Sequence, residues 1–597
     1  MSELIKRTLP DWMRARLSEN QRFLVLCLLA GLLCGLAAVA FHFSIHSIFH
    51  WLWGFAKSQE PVWFIATMLC APTLAGLLVG LSVKYFAPEA AGSGIPQTKA
   101  AYYNNGGKIT VRSGVMRFVL GSLYVGLGNS LGREGPTVHV SAAISSRIGR
   151  WAFNDPARVQ SMLPVGMAAG IAAAFNAPLS ALTFVFEELL DNFSMKAIGG
   201  MVIAVVVAAA VSRSILGEDP VLMTQLSESF KTSAWMLVAV PLGLAAGLIG
   251  HVFVASTLRL RKWFKDRRVF PSWLCPAAGG LSCGIIGLSV YFLTEGLGDA
   301  QNSVFSIGYG SLVSAFQNEL TVGIIALLLV GKFFAVVINY ASGGSGGLFA
   351  PTLFLGGMLG GLIGVGLADF QHLVEWIPAF PTDSKVIGGC VLLGMGAMFA
   401  AVIRCPFTSI IIIFEMTGNY SLILPLMAGN MIAWQISKAL QPETVYNALL
   451  LQDGISLRKL PAYRGAQDYR KLPVQSIMTH DVFLVGGSEK PGEVIKRISA
   501  EDKKYHAYPV VDEEGSLLGV ITLQEIRENV LSESISAIMG GQEILAVVPE
   551  TSIRDAANRM IVRDFQQVPV VSQADPKKLL GWLTLNDIAR QQNAVEG

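Results

Sequence analysis

Charge is what this chain lacks first. Of its 597 residues only 15% are Asp, Glu, Lys or Arg, while 52% are hydrophobic; soluble chains carry about 25% charged residues. That shortage excludes a purely soluble enzyme. With a formal net charge of +3 and no dense basic tract, the sequence offers nucleic acid no binding surface. Cysteine is also scarce: seven residues, an odd number, with no CxxC pair and none beyond Cys405. A disulfide framework or structural zinc site is thereby excluded, and the cysteines read as small apolar packing residues. The HExxH motif of an intramembrane zinc protease is missing. No cleavable signal peptide is expected, because the first apolar run starts only at Phe23 and passes Ala40 without a cleavage site of small residues.

The charge that is present is unevenly spread. Residues 454–597 hold 36 of the 87 charged side chains, a density of 25%, against 11% over residues 1–453. A long membrane part is therefore followed by a tail of ordinary solubility. Apolar runs near the roughly 20 residues a bilayer requires fall at 23–41, 62–83, 197–216, 234–256, 272–293, 321–339 and 420–438. Shorter runs, broken by Gly and Pro, lie at 111–127, 137–149, 161–175, 178–190, 349–367, 387–401 and 406–416. Glycines such as Gly356, Gly357, Gly360 and Gly361 are spaced so that helices can approach closely. Many broken helices indicate a solute pathway, since irregular backbone survives at membrane depth only beside protein or a polar cavity. The basic residues Lys6, Arg7, Arg14, Arg16 and Arg22 put segment 1–22 on the cytoplasmic side. The charged tail is expected on the same side, which requires an even number of crossings.

An internal repeat runs through the membrane part. Gly166-Met167-Ala168-Ala169, Pro178 and Phe186-Glu187 recur as Gly394-Met395-Gly396-Ala397, Pro406 and Phe414-Glu415, each at an offset of 228. Upstream, Gly132, Pro136 and Thr137 recur as Gly347, Pro351 and Thr352 at an offset of 215. Two halves with helices interrupted in corresponding places are the mark of transporters that bind their solute near the midplane. The residues alone leave the relative orientation of the halves open.

Three glycine-rich segments stand where helices should begin: Gly92-Ser93-Gly94-Ile95-Pro96, Gly132-Arg133-Glu134-Gly135-Pro136 and Gly346-Gly347-Leu348-Phe349-Ala350-Pro351. Glycine admits a ligand close to the backbone, and proline fits the first helical turn. That turn offers unpaired N–H groups and about half a positive charge. Converging ends of this kind hold an anion without a full cation, so the ion can also leave. Ser93 adds a hydroxyl donor. Glu134 is a carboxylate set among these amides. Ionised, it can occupy the site itself; protonated, it must swing away. One side chain would thus serve as gate and proton carrier, and the competing reading is a salt bridge to Arg133.

These segments, with Glu415-Met416-Thr417-Gly418-Asn419-Tyr420 and the late Tyr446, resemble those of the CLC chloride channel and transporter family over about residues 20–455. The resemblance implies inverted repeats and a homodimer with one anion pathway per subunit. It assigns the central chloride site to the hydroxyls of Ser93 and Tyr446 and the amides around Leu348 and Phe349, with the amides of Arg133, Glu134 and Gly135 on the outer side. Glu134 becomes the external gate and proton acceptor. In the family, the second acid of the Glu187-Glu188 pair marks proton-coupled exchangers, which makes Glu188 the internal proton acceptor. The pair ends a short apolar run, so Glu188 is expected near the cytoplasmic surface, and the alternative is an exposed helix-end acid. Glu187 aligns with Glu415, which favours a structural role for those two.

The fold expected is thus an all-α polytopic membrane domain at 23–455 with two inverted repeats. A linker at 456–473 leads to an α/β tail. The function expected is H⁺/Cl⁻ antiport in the cell (inner) membrane. A passive voltage- or pH-gated chloride channel and a membrane-anchored nucleotide sensor are the alternatives. Chloride, protons, lipid and a second copy of the chain are the partners expected, and transport requires no cofactor. His42, His46 and His50 share one helix face at metal-ligand spacing. Beside Trp51 and Trp53, however, they read as an interfacial group, and no metal is expected.

The tail carries its own repeat. Tyr508-Pro509-Val510-Val511 precedes Gly519-Val520-Ile521-Thr522, and Val568-Pro569-Val570-Val571 precedes Gly581-Trp582-Leu583-Thr584. Each reads as strand, turn, strand and a helix opening with an acid in its first turn. The pattern resembles a tandem pair of CBS domains, at 474–531 and 537–592. That resemblance implies a regulatory adenine nucleotide held by Thr584 and Asp587 and, less typically, by Thr522 and Glu525. The same residues equally suit simple helix capping.

Overall fold

Ser18 opens the first long helix, Glu19–Lys57, with a capping box: its amide donates to Gln21 Oε1 at 3.0 Å and its hydroxyl accepts from the Gln21 amide. At ~1.5 Å per residue this 39-residue helix is about 58 Å long, nearly twice a hydrocarbon core. The computed structural model describes residues 16–457 and 472–596, apart from 154, 191–194, 218–234, 268–270, 295–302, 370–384, 481, 501–504 and 540–543. Most of the basic segment 1–22 and of the linker 456–473 lies outside the described residues. The chain divides into two units, Met1–Arg458 and Lys459–Gly597.

In the first unit, seven described helices have the length and composition to cross a membrane: Glu19–Lys57, Pro61–Tyr85, Ile198–Leu216, Trp235–Asp266, Cys275–Leu293, Val322–Ala341 and Phe349–Asp369. The last differs from expectation, since 349–367 reads as a short broken run. Its apolar window is 72% buried, so its glycines serve packing and do not interrupt the helix. A methyl group at Gly360 would strike the Cys390 carbonyl, and one at Gly356 the Gly394 backbone, so this helix lies directly against Lys385–Val402. Conversely, the run at 420–438 is shortened: a 3₁₀ turn, Tyr420–Leu422, precedes an 18-residue helix, Ile423–Leu440. Six cysteines are buried and Cys70 is exposed.

The two halves meet at equivalent residues. Gly132 and Gly347 form an antiparallel bridge, the Gly132 amide donating to the Gly347 carbonyl at 2.8 Å and the Gly347 amide to the Gly132 carbonyl at 2.7 Å. A second reciprocal contact joins the short helices Pro178–Phe184 and Pro406–Thr417. Glu415 accepts from the amides of Leu179 and Ser180, both at 2.8 Å. Glu187 accepts from those of Phe407 and Thr408, at 3.1 and 2.8 Å. Each carboxylate thus caps the start of the other half's helix. Exchange of identical contacts between residues at one repeat offset is what a local two-fold axis relating the halves produces.

The second unit is α/β. Strand Ala507–Val511 pairs parallel with Val485–Gly486 and antiparallel with Leu517–Thr522. Gln567–Val571 pairs antiparallel with Leu579–Thr584, and the register slips at the same place in both hairpins, Val510/Val511 and Val570/Val571. Each hairpin has its own core, one around Tyr508, Val510 and Ile521, the other around Val568, Val570 and Leu583. Val474, from the start of the unit, packs in the second core.

Candidate functional site

The three glycine-rich segments do open helices, and those openings converge. Ile95–Asn104 follows Gly94, whose φ of 92° suits glycine. Glu134–Ala152 follows Arg133, and Phe349–Asp369 follows Leu348. A methyl at Gly135 would lie 2.5 Å from the Ser93 carbonyl oxygen and 3.2 Å from Gly347 Cα, so the three segments touch. Arg117 fixes the first of them, donating to the carbonyls of Gly92 at 2.6 Å, Ala91 at 3.2 Å and Glu89. No motif pointed to Arg117; only its charge in an apolar helix could have.

Ser93 and Tyr446 are both fully buried, and neither hydroxyl makes a hydrogen bond among the described residues. An unmet buried hydroxyl costs about 1–3 kcal/mol. Two such groups beside open helix ends form a place for something that accepts hydrogen bonds. Tyr340, buried, lies close to Ser93 and Tyr446 without hydrogen-bond geometry to either hydroxyl. Leu348 and Phe349 are buried, and the Phe349 ring is held between Phe175 at 4.6 Å and Phe399 at 4.3 Å. Amides in that first helical turn have no carbonyl a turn behind them within the helix.

Glu134 is 1% exposed. Its Oε2 accepts from the Ala350 amide at 3.4 Å, and its Oε1 from the Tyr309 hydroxyl at 2.9 Å. The carboxylate thus sits on the amide end of the Phe349–Asp369 helix. Tyr309 was not foreseen, because nothing around Gly308-Tyr309-Gly310 forms a motif. The alternative salt bridge is not what Arg133 makes: its guanidinium donates to the Ala174 carbonyl at 2.9 Å and contacts His42 Nδ1. His42, His46 and His50 do run along one face, with neighbouring ring centroids 6.0 Å apart. The first of them is engaged by Arg133.

Glu188 departs from expectation. It lies in a π-helical turn, Val185–Leu190, and does not emerge as an exposed helix-end acid, being 2% exposed. Its Oε1 accepts from Lys99 Nζ at 2.7 Å, with both side chains 3% exposed, and Cys405 Sγ lies 3.9 Å from its Oε2. The wider turn rotates Glu188 inward while Glu187 caps the facing helix. Run length suggested an exit to water; the π turn and the buried Lys99 explain why there is none.

In the tail, Thr522 and Glu525 form a capping box: the Thr522 amide and hydroxyl donate to Glu525 Oε2 at 2.7 and 2.8 Å, and the Glu525 amide donates back to Thr522 Oγ1 at 3.1 Å. Thr584 and Asp587 repeat this, at 3.0, 2.8 and 3.1 Å. Both pairs therefore do the work of helix caps. Thr522 and Glu525 also line a cavity of about 800 Å³ with His506, Arg527, Asp564 and Gln567, a size that suits a mononucleotide. Thr584 is buried beside Trp582, which is 1% exposed.

Comparison with known proteins agrees with this geometry. Residues 75–438 match the family model described as voltage gated chloride channel, and residues 474–532 and 536–593 match CBS domains. The chain is 32% identical over 440 residues to the H⁺/Cl⁻ exchange transporter ClcA of Vibrio campbellii, covering 72% of this chain and 88% of the relative. It is 30% identical over 435 residues to ClcA of Yersinia pseudotuberculosis, with 72% and 87% covered. Among solved structures, a slow cyanobacterial Cl⁻/H⁺ antiporter aligns with a TM-score of 0.63 at 27% identity, over 72% of this chain and 98% of the other. A eukaryotic CLC transporter shares the fold at 18% identity, with a TM-score of 0.62 over 95% of this chain and 98% of the other. Converging helix ends, reciprocal caps and sequence matches lead to one conclusion: the chain belongs to the voltage gated chloride channel family, CLC, and carries a tandem CBS pair behind its membrane domain.

Proposed function

We propose that this protein exchanges chloride for protons across the cell (inner) membrane. The observation that carries this reading is the seat of Glu134: a buried carboxylate on a helix-end amide, in a cluster where Ser93 and Tyr446 have unmet hydroxyls. Chloride and that carboxylate compete for the same donors. With Glu134 ionised the site is closed by its own side chain; a proton on Glu134 weakens its hold on the Ala350 amide, and chloride takes the place beside Ser93, Tyr446, Leu348 and Phe349. The amides of Arg133, Glu134 and Gly135 receive the ion on the outer side. Glu188 takes up the proton from the cytoplasmic side as a carboxylic acid and passes it to Glu134. Burial of Glu188 favours this role over that of a surface acid, and hence an exchanger over a passive channel.

The working unit in this reading is a homodimer with one pathway per subunit, and the N-terminus and tail are cytoplasmic. An adenine nucleotide would be held beside Thr522 and Glu525 by the helix opening, with Thr584 and Asp587 as the second pair; its role would be to regulate transport, and the volume of the cavity at Thr522 and Glu525 supports this.

Reconstituted vesicles test the exchange. A chloride gradient should drive protons uphill with the unmutated chain. Glu134→Gln should pass chloride with no proton movement, and Glu188→Gln should lose proton coupling while keeping chloride flux. Chloride movement that never drives protons in the unmutated chain would make it a passive channel.

A further inference from the structure

Ser93 offers a hydroxyl to the proposed anion site, and the peptide units on either side of it fix where that hydroxyl stands. Before it, Arg117 holds the carbonyls of Ala91 and Gly92, and the Gly92 amide donates to the Gly344 carbonyl at 3.1 Å. After it, the Gly94 carbonyl accepts from the Thr98 amide and from Thr98 Oγ1, both at 2.9 Å. Thr98 is fully buried, and its hydroxyl oxygen lies 3.0 Å from Nδ1 of His139. The other ring nitrogen, Nε2, lies 2.9 Å from Ser113 Oγ. His139 is 2% exposed and belongs to Glu134–Ala152. No step of the proposed exchange uses it.

Counting donors sets the direction of this relay. A neutral imidazole donates from one nitrogen and accepts at the other, and a threonine hydroxyl has one proton to give. The Gly94 carbonyl can only accept, so the Thr98 proton goes there. Nδ1 then donates to Thr98 Oγ1, and the Ser113 hydroxyl donates to Nε2. The reverse arrangement would forfeit one of these three bonds in a buried place. The relay ties the turn that carries Ser93 to the helix that carries Glu134. Packing joins the same two elements: a methyl at Gly94 would lie 2.8 Å from His139 Cβ, and one at Gly135 would lie 3.0 Å from Ser93 Cβ. We infer that His139 is a positioning residue for the anion site, setting the Ser93 hydroxyl against the opening of Glu134–Ala152 through Thr98 and Gly94. A donor already fixed where the anion will sit needs no reorganisation when the ion arrives. A turn free to shift would have to be ordered by the ion itself, and binding would weaken. The inference rests on the reading of Ser93 as an anion ligand.

Chloride affinity tests it, by calorimetric titration into the full chain in detergent. Glu134→Gln is kept throughout, because in the exchange reading that carboxylate competes for the site. His139→Leu keeps the bulk and removes both ring bonds; it should weaken chloride binding about fivefold. His139→Asn sets an amide N–H where Nδ1 stands and should bring affinity back to within about twofold. In Ser93→Ala, which has no hydroxyl left to position, His139→Leu should change affinity by less than about twofold. An equal loss with and without the Ser93 hydroxyl, or one that His139→Asn does not relieve, would overturn the inference, since general loosening of the helices gives that result. Where Ser93→Ala binds too weakly to titrate, His139→Asn against His139→Leu decides. Should His139→Leu fail to fold, Thr98→Val cuts the relay at its middle: a similar loss supports the inference, and unweakened binding overturns it. Chloride heat absent with His139 and Ser93 both intact removes the anion reading, and the inference falls with it; heat that ignores His139 removes the inference alone.

Discussion

At the scale of single side chains, the site is a set of balanced competitors. Tyr309 donates to Glu134 at 2.9 Å and, if chloride competes for that seat as proposed, strengthens the carboxylate against it. A hydrogen bond to a charged group contributes about 1.5–3 kcal/mol. Tyr309→Phe should therefore let chloride win at roughly tenfold lower concentration, as read by calorimetric titration. Unchanged affinity would mean that Glu134 does not hold the seat. What was legible here came from motifs: Ser93, Glu134, Leu348 and Phe349 stand in glycine-rich runs that point to an anion, whereas Tyr446 entered only through the family resemblance. Tyr309, Lys99 and Arg117 were not legible, because each reaches the site from a different stretch of chain. Sequence spacing cannot register a partner 89 residues away, as Lys99 is from Glu188.

Helices and turns pose a different question, that of what sets their ends and separations. The acids Glu187 and Glu415 close the amide ends of facing short helices. Glu187→Ala and Glu415→Ala should each lower stability by about 1–2 kcal/mol, seen as a lower unfolding temperature in detergent, while proton coupling persists. Loss of coupling without loss of stability in Glu187→Ala would give that residue a transport role. Glycine spacing predicts a second contrast. Gly360→Ala drives a methyl into the Cys390 carbonyl and should cost about 1–3 kcal/mol. Gly366→Ala, on the same helix with nothing within 4 Å, should be neutral or slightly stabilising in the same melt. Repeat offsets and glycine patterns made the helices readable. The π turn at Val185–Leu190 was not, since no spacing in the sequence marks it and the lysine that Glu188 meets there lies on another helix.

For the whole molecule, composition alone separated the greasy part from the charged tail, and the chain divides into units at Arg458 and Lys459. If the membrane unit holds the exchange machinery, a chain ending at Arg458 should still couple chloride to protons in vesicles, and any response to added adenine nucleotide should vanish. Coupling lost with the tail would make the tail part of the machinery. Orientation of the halves could not be read from their offsets, because a repeat spells the same whichever way it faces. What became visible is a two-fold relation between them, in the reciprocal bridge between Gly132 and Gly347. That main-chain seam also limits how the protein can move. Halves that rock past each other to alternate access would have to tear two backbone hydrogen bonds beside the Glu134 carboxylate. A seam stitched there leaves small side-chain swings as the economical motion, and a turnover cycle that keeps the scaffold still.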